Sequence, residues 1–219
     1  MKRTVHPELI VKALAAMEPE TTIEEFQSAS GIASRSVARN VLDFLKSNGI
    51  VSVVAGGDVI KFRATSRLYA AMLAVQAGCN IERVSEHLTW KDFEKLAAEV
   101  LSSLGYRTQT NVQLTRPRME IDVVGIRAGF AIAVDCKHWK KSSGSATSVA
   151  AFARKQVERS KRLLGFDKKI SRVVPVIMTL RAGAVSFVEG GVPVVPIQKF
   201  RSFVMEVDGF LPEIYSITH

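Results

Sequence analysis

Cysteine is scarce in this chain, with two residues, Cys79 and Cys136, among 219. That excludes a disulfide framework, and neither cysteine has a Cys or His neighbour at a spacing that would start a zinc site. Both are expected to be reduced thiols. Long hydrophobic stretches are also missing. The unbroken apolar run from Leu68 to Val75 has eight residues, far short of the roughly 18 to 20 that span a bilayer. The basic start Met1-Lys2-Arg3 is not followed by the apolar core of a signal peptide, because Glu8 and Lys12 interrupt it. The expectation is a soluble, cytoplasmic protein with no membrane partner. Internal repeats and low-complexity tracts are absent, so function does not come from repetition. Acidic residues are the last deficit: 21 Asp and Glu stand against 30 Lys and Arg, a net charge of +9. Such an excess favours a polyanionic partner. What the chain does have is apolar content, 47%, enough at this length to bury a substantial core without staples.

The positive charge is unevenly placed. Residues 1–80 hold nine basic and seven acidic side chains, whereas Lys137 to Arg172 holds eleven basic residues against only Glu158 and Asp167. That one segment accounts for the whole excess.

The first 64 residues read as three helices and a hairpin. Pro7 suits a first helical position, and Leu9, Ile10, Leu14 and Met17 follow at helical spacing. Thr22 with Glu25 predicts a capping box for a second helix ending near Ser30-Gly31. A third helix is predicted from about Ser34 to Asn48, burying Val37, Val41, Phe44 and Leu45, with Gly49 as terminator. Two short apolar runs around Ala55-Gly56-Gly57-Asp58 predict the hairpin. This order resembles the winged helix-turn-helix family over about residues 5–64. The resemblance implies that the third helix, offering Arg35 and Arg39, and the wing, offering Lys61, contact DNA. Thr65 to Gln76 is predicted as a linking helix, so residues 1–64 form the winged helix, 65–87 a helical linker and 88–219 a second domain.

From residue 88 the pattern becomes α/β: a long helix from Trp90 to Leu104, capped by Thr89 and ended by Gly105, then strands near 106–114, 120–126 and 130–138. A helix near 148–164, a buried strand at 173–179, a strand at 193–197 and a last helix near 198–207 follow. The predicted architecture is a central mixed sheet flanked by helices. On a helical wheel Phe93, Leu96, Ala97, Val100, Leu101 and Leu104 form one apolar arc, and Glu94 is the one acid adjoining it. A carboxylate in that position must snorkel, pair or bind a cation. In Glu120-Ile121-Asp122-Val123-Val124, alternation sets Glu120 and Asp122 on one face. In the next strand Ala131, Ala133, Asp135 and Lys137 share a face, with Cys136 on the opposite, core-facing side. Two adjacent strands carrying acids, with a lysine beyond, make a candidate site for Mg²⁺ or Mn²⁺, hard ions that keep waters and bridge to phosphate oxygens. Lys137 is placed to orient a water or stabilise developing charge.

Glu94, Asp122 and Asp135-Cys136-Lys137, with the flanking run Leu88 to Tyr106 and His138-Trp139, resemble the PD-(D/E)XK nuclease superfamily. Within it they are similar to Mrr-type restriction endonucleases and archaeal Holliday-junction resolvases, over about residues 88–180. The resemblance implies an α/β restriction-endonuclease-like domain behind an α+β winged helix. It implies Asp122 and Asp135 as metal ligands, Lys137 as catalytic lysine, Glu94 as a helical acid supporting metal or water, and Gln156 as a glutamine aimed at the site. Arg118-Met119-Glu120 before Asp122 departs from the glycines usual in the Mrr-type pattern, and Asp135 stands where Glu or Gln is common. The function implied is Mg²⁺-dependent hydrolysis of DNA phosphodiesters, leaving a 5′-phosphate. Cutting both strands requires a homodimer or two successive nicks. Lys140, Lys141, Arg154, Lys155, Arg159 and Arg162 then become expected contacts to the DNA backbone. The alternative is a DNA-binding or regulatory protein on a nuclease fold that does not cut.

Overall fold

A proline opens the first helix, α1 (Pro7–Leu14), where its missing N–H is no loss, and Ile10, Val11, Ala13 and Leu14 form its buried side. A short strand, β1 (Glu20–Thr22), leads into α2 (Ile23–Ser30). The predicted capping box is present. The Glu25 backbone N–H donates to Thr22 Oγ1 at 3.3 Å, and the Thr22 N–H donates to Glu25 Oε2 at 2.8 Å. The hydrogen bonds from Thr22 hold the Glu25 carboxyl below its usual range. Gly31 (φ 63°) ends α2 in the left-handed region. The next helix, α3 (Arg35–Ser47), buries Ala38, Val41, Leu42 and Leu45. Val37 and Phe44, expected inside, are only half-buried. The inward stripe is turned toward Ala38 and Leu42, residues that the apolar pattern did not single out. Strands β2 (Val51–Val53) and β3 (Val59–Phe62) pair antiparallel, and β1 pairs on the other edge of β3, so the sheet order is β1-β3-β2. Phe26 of α2 stacks on Phe62 at 6.2 Å. Helix α4 (Ser66–Gln76) packs against α1, with Ser66 Oγ donating to the Ile50 carbonyl at 2.6 Å. The short α5 (Ile81–Ser85) follows.

The structure is a computed structural model that describes residues 5–53, 59–115, 117–137, 146–179, 185–188 and 190–219. Its chain divides into two compact units, residues 1–92 and 93–219. The expected Gly-Gly turn at 55–58 lies outside the described residues.

The second unit is built on α6 (Trp90–Ser103) and three strands, β4 (Arg107–Leu114), β5 (Met119–Arg127) and β6 (Phe130–Lys137). At the start of α6 the Asp92 carboxylate accepts from both the N–H and the hydroxyl of Thr89, at 2.7 and 2.8 Å. The β5–β6 hairpin turns through Ala128 (φ 49°) and Gly129 (φ 80°). A 21-residue helix, α7 (Ala146–Phe166), separates β6 from the buried β7 (Arg172–Thr179). Then come β8 (Ser186–Val188), β9 (Val192–Pro196), α8 (Ile197–Met205), α9 (Val207–Phe210) and β10 (Ile217–Thr218). The strands form one mixed seven-stranded sheet, ordered β4-β5-β6-β7-β9-β8 with β10 on β7; β6, β7 and β9 are parallel and the other pairs antiparallel. Leu163 and Leu164 of α7 pack on Ala131, Ala133 and Val173, where the small alanines let the helix approach. Gly125 does the same for α6: a Cβ there would lie 3.1 Å from the Leu101 side chain. The mixed sheet flanked by helices is the restriction-endonuclease-like architecture expected from the sequence. Among the described residues no helix is long and apolar enough to cross a membrane.

Candidate active site

Pairing between β5 and β6 runs from Arg127–Phe130 to Val123–Val134. One step further would set Asp122 opposite Asp135, and there the ladder stops. The Asp122 side chain takes over, its Oδ2 accepting the Cys136 N–H at 2.7 Å. The register on the other side of β5 skips the Asn111–Asp122 position as well, and Asn111 has φ 52°, a conformation Asn tolerates better than most residues. Ile121 and Val124, which strict alternation would place on opposite faces, share one core cluster. Regular strand geometry therefore lapses at Asp122. Glu120, expected on its face, is exposed and pairs in register with Gln113.

Asp135 is 1% exposed, so its charge must be met from within. Lys137 Nζ and Arg159 Nη1 donate to its Oδ1 at 2.9 and 2.8 Å. Oδ2 lies 2.8 Å from Lys137 Nζ but receives no aligned hydrogen bond. The lysine ammonium also sits over the Phe152 ring, 4.9 Å from its centroid. One turn along α7, the fully buried Gln156 donates from Nε2 to the Ala133 carbonyl at 2.8 Å. Its Oε1 accepts from Arg159 Nη1 at 3.4 Å. Residues 152, 156 and 159 lie on one helix face, and they engage Lys137, Ala133 and Asp135.

Burial, and then the charge of Asp135, raise the Asp122 carboxyl above its ordinary value, while the Cys136 N–H, Lys137 and Arg159 offset part of that. Burial followed by Asp122, Asp135 and Glu94 pushes the Cys136 thiol well above its usual range, so it is an inert core residue, as the alternation predicted. Glu94, itself 5% exposed, acts on the same thiol and so lies within the electrostatic neighbourhood of the two aspartates. Among the described residues, however, no three His, Cys, Asp or Glu side chains gather closely enough to hold a metal ion. The structure thus brings together Asp122, Asp135, Lys137 and Gln156, with Glu94 nearby but not completing a three-ligand set.

Arg159 is the residue whose place the sequence conceals. A count of basic residues groups it with the DNA-facing charges of its helix, whereas its guanidinium is bonded to Asp135. The available signal was its spacing, three residues after the inward-facing Gln156. Arg154, Lys155 and Arg162 are exposed on α7, and Lys140 and Lys141 lie outside the described residues, as do His138 and Trp139. In the first unit Arg35 pairs with Glu24, Lys61 pairs with Glu20 at 2.5 Å, and Arg39 is exposed.

Comparison with known proteins gives the same class. No curated protein matches the chain. Among solved structures, protein VC1899 from Vibrio cholerae is 12% identical, with a TM-score of 0.37 over 94% of this chain and 50% of that one. The restriction endonuclease FokI is 12% identical, with a TM-score of 0.26 over 79% and 36%. FokI bound to DNA is 10% identical, with a TM-score of 0.30 over 93% and 44%. The chain therefore spans half or less of the length of each of these proteins. The specific match is to a family of domains described as restriction endonuclease, the Mrr catalytic type, and it covers residues 85–164. That stretch contains Glu94, Asp122, Asp135, Lys137, Gln156 and Arg159, and over it the chain is similar to restriction endonuclease domains of the PD-(D/E)XK kind.

Proposed function

We propose that this chain is a metal-dependent DNA endonuclease whose reacting centre is Asp122, Asp135 and Lys137. The observation that carries the reading is the juxtaposition of the buried Asp135 and the half-buried Asp122 at the point where the β5–β6 ladder opens, with Asp135 Oδ2 buried and lacking an aligned donor. This donor set fits Mg²⁺ or Mn²⁺, which need one or two carboxylates and take their other ligands from water and phosphate. The raised Asp122 carboxyl fits as well, since two like charges in a dry site are relieved by a cation. When bound there by Asp122 and Asp135, the ion supplies a water of lowered pKa and neutralises charge on the phosphate. Lys137, held by Asp135 and the Phe152 ring, positions its ammonium to orient the attacking water and to stabilise charge on the phosphoryl oxygens. Gln156 fixes β6 against α7 and so keeps Asp135 and Lys137 in place, and Glu94 adds negative charge near the site.

In this reading DNA lies on the basic flank of α7 and is also contacted by Lys140 and Lys141. Residues 1–64 act as a winged helix that adds contacts through Arg35, Arg39 and Lys61, and 65–87 join it to the nuclease domain. Two copies cut the two strands, and the protein works in the cytoplasm. The test is nicking of supercoiled plasmid and branched DNA in Mg²⁺ or Mn²⁺ by the wild type, Asp135→Ala and Lys137→Ala. The wild type should cut and both variants should lose at least two orders of magnitude in rate; equal metal-dependent cutting by the variants overturns the assignment.

One observation favours a second reading. Asp135 already has two cations on it, which suits a DNA-binding protein that no longer cuts. That reading predicts salt-sensitive DNA binding with no metal-dependent nicking.

A further inference from the structure

The basic residues of α7 do not form one surface. At roughly 100° per residue, Lys155, Arg159 and Arg162 fall within an arc of about 60° that borders the buried face at Gln156 and Phe152. Arg154 and Lys161 fall about 140–160° from Arg159, around the back of the helix, and Glu158 falls between the two groups, about 40° beyond Arg162. Lys155 and Arg162 are exposed, as are Arg154 and Lys161 on the back, while the Arg159 side chain is only 25% exposed, its head turned to Asp135. The arc itself carries no acid, and Glu158 sits at its outer edge, beside Arg162 and away from Arg159.

We propose that Lys155, Arg159 and Arg162 are a phosphate track that takes one strand of a nucleic-acid backbone along α7 and delivers it to Asp135, with Arg159 as its inner end. The three residues span about 10 Å of helix axis, and duplex DNA offers a phosphate on each strand every 3.4 Å or so of its own axis. Arg159 has five N–H donors in a planar fork, and its described bonds to Asp135 and Gln156 both use Nη1. One edge therefore holds the carboxylate while another can meet a phosphate oxygen. Gln156 anchors the arrangement from the buried side through the Ala133 carbonyl. The track deepens the nuclease reading and rests on it for the direction of delivery. Its division of α7 into a binding flank and a non-binding back stands on the helix geometry alone.

The experiment uses the full-length chain and a fluorescein-labelled 30-base-pair duplex, with anisotropy titrations in EDTA over a KCl series. Lys155→Gln and Arg162→Gln, both at exposed positions, should each lower the slope of log K against log salt by about 1. Lys161→Gln should leave the slope where it was. Arg159→Gln should lose at least as much binding as Lys155→Gln, because it also leaves Asp135 with Lys137 alone. Equal slope changes for Lys161→Gln and Lys155→Gln overturn the track, as does unchanged binding by Lys155→Gln and Arg162→Gln. Wild-type protein that binds no DNA overturns it too. Plasmid nicking assayed beside the titrations separates the two claims. Absent nicking with the expected slopes removes the nuclease reading and keeps the track, and nicking with equal slopes removes only the track.

Discussion

Removing Arg159 should destabilise the second unit through Asp135 and by little else. The Asp135 side chain is 2% exposed and is met by two cations, Lys137 at 22% and Arg159 at 25%. Breaking a fully buried pair costs about 3–5 kcal/mol, because a charge is left unmatched in a poor solvent. Exposed pairs contribute about 0–1 kcal/mol. Here the carboxylate is buried, the cations are partly wet, and Lys137 remains after Arg159 is gone. The expected loss for Arg159→Met, which keeps the apolar stem, is therefore about 1–2 kcal/mol. In an Asp135→Asn background there is no buried charge to strand, so the same substitution should lose no more than about 0.5 kcal/mol. The assay is urea unfolding followed by far-ultraviolet circular dichroism in EDTA, on the wild type, both single variants and the double variant. The coupling energy from that cycle should be on the order of 1 kcal/mol. A loss that is the same in both backgrounds would refute the reasoning, since it would show that Arg159 acts by packing or through Gln156 rather than as the counter-charge of Asp135.

Three further outcomes are expected. Asp122→Asn keeps an acceptor for the Cys136 N–H and removes a carboxylate whose folded-state pKa is raised by burial and by Asp135. For a raised acid the folded state holds the proton more tightly, so stability falls as pH rises from the unfolded value through the folded one; the variant should match the wild type in acid and exceed it in Tm above that window. Thr22→Ala removes one side of the capping box of α2 and should lower stability by about 1 kcal/mol in urea unfolding, with Thr22→Ser restoring most of it. Charge reversal at Lys155 and Arg162 should weaken duplex binding, and reduce its salt slope, more than reversal at Arg35 and Arg39; the opposite ranking in anisotropy titrations would make the first unit the primary reader.

The long elements were legible because their periodicity is strong. The apolar arc of α6, the alternation of β6 and the buried run of β7 each specify a face, and the Thr22–Glu25 and Thr89 caps mark where helices begin. The strands β1, β8 and β10 were not legible. They have two or three residues each, too few for a period, and their pairing is decided by partners distant in sequence. Within the site, alternation correctly put Asp135 and Lys137 on one side and Cys136 on the other. It could not show the break at Asp122, because that depends on Asn111 of β4 and on an amide of the neighbouring strand donating to a side chain in place of a backbone partner. Gln156 was legible as a polar residue on an apolar helix face. Its partner is a backbone carbonyl, and that type of partner leaves no trace in a residue pattern.

Net charge is the feature on which sequence and structure differ most usefully. Arg35 and Lys61 in the first unit are each ion-paired to an exposed glutamate, so either cation brings a carboxylate with it to any phosphate it meets. The attraction is then that of a dipole, short in range and readily screened. Among the described residues Lys155 and Arg162 are in no ion pair, and the arc they share with Arg159 leads to the buried Asp135 and the half-buried Asp122. In the proposed reading a polyanion is attracted along that flank by charges not tied up in ion pairs, and at its inner end it meets the carboxylates of Asp122 and Asp135. A divalent cation held there would then complete the approach. On this account the excess of +9 is a gradient with a metal-dependent end, so added Mg²⁺ or Ca²⁺ should tighten DNA binding by the wild type but not by Asp122→Asn/Asp135→Asn. Ordinary counterion competition would weaken both.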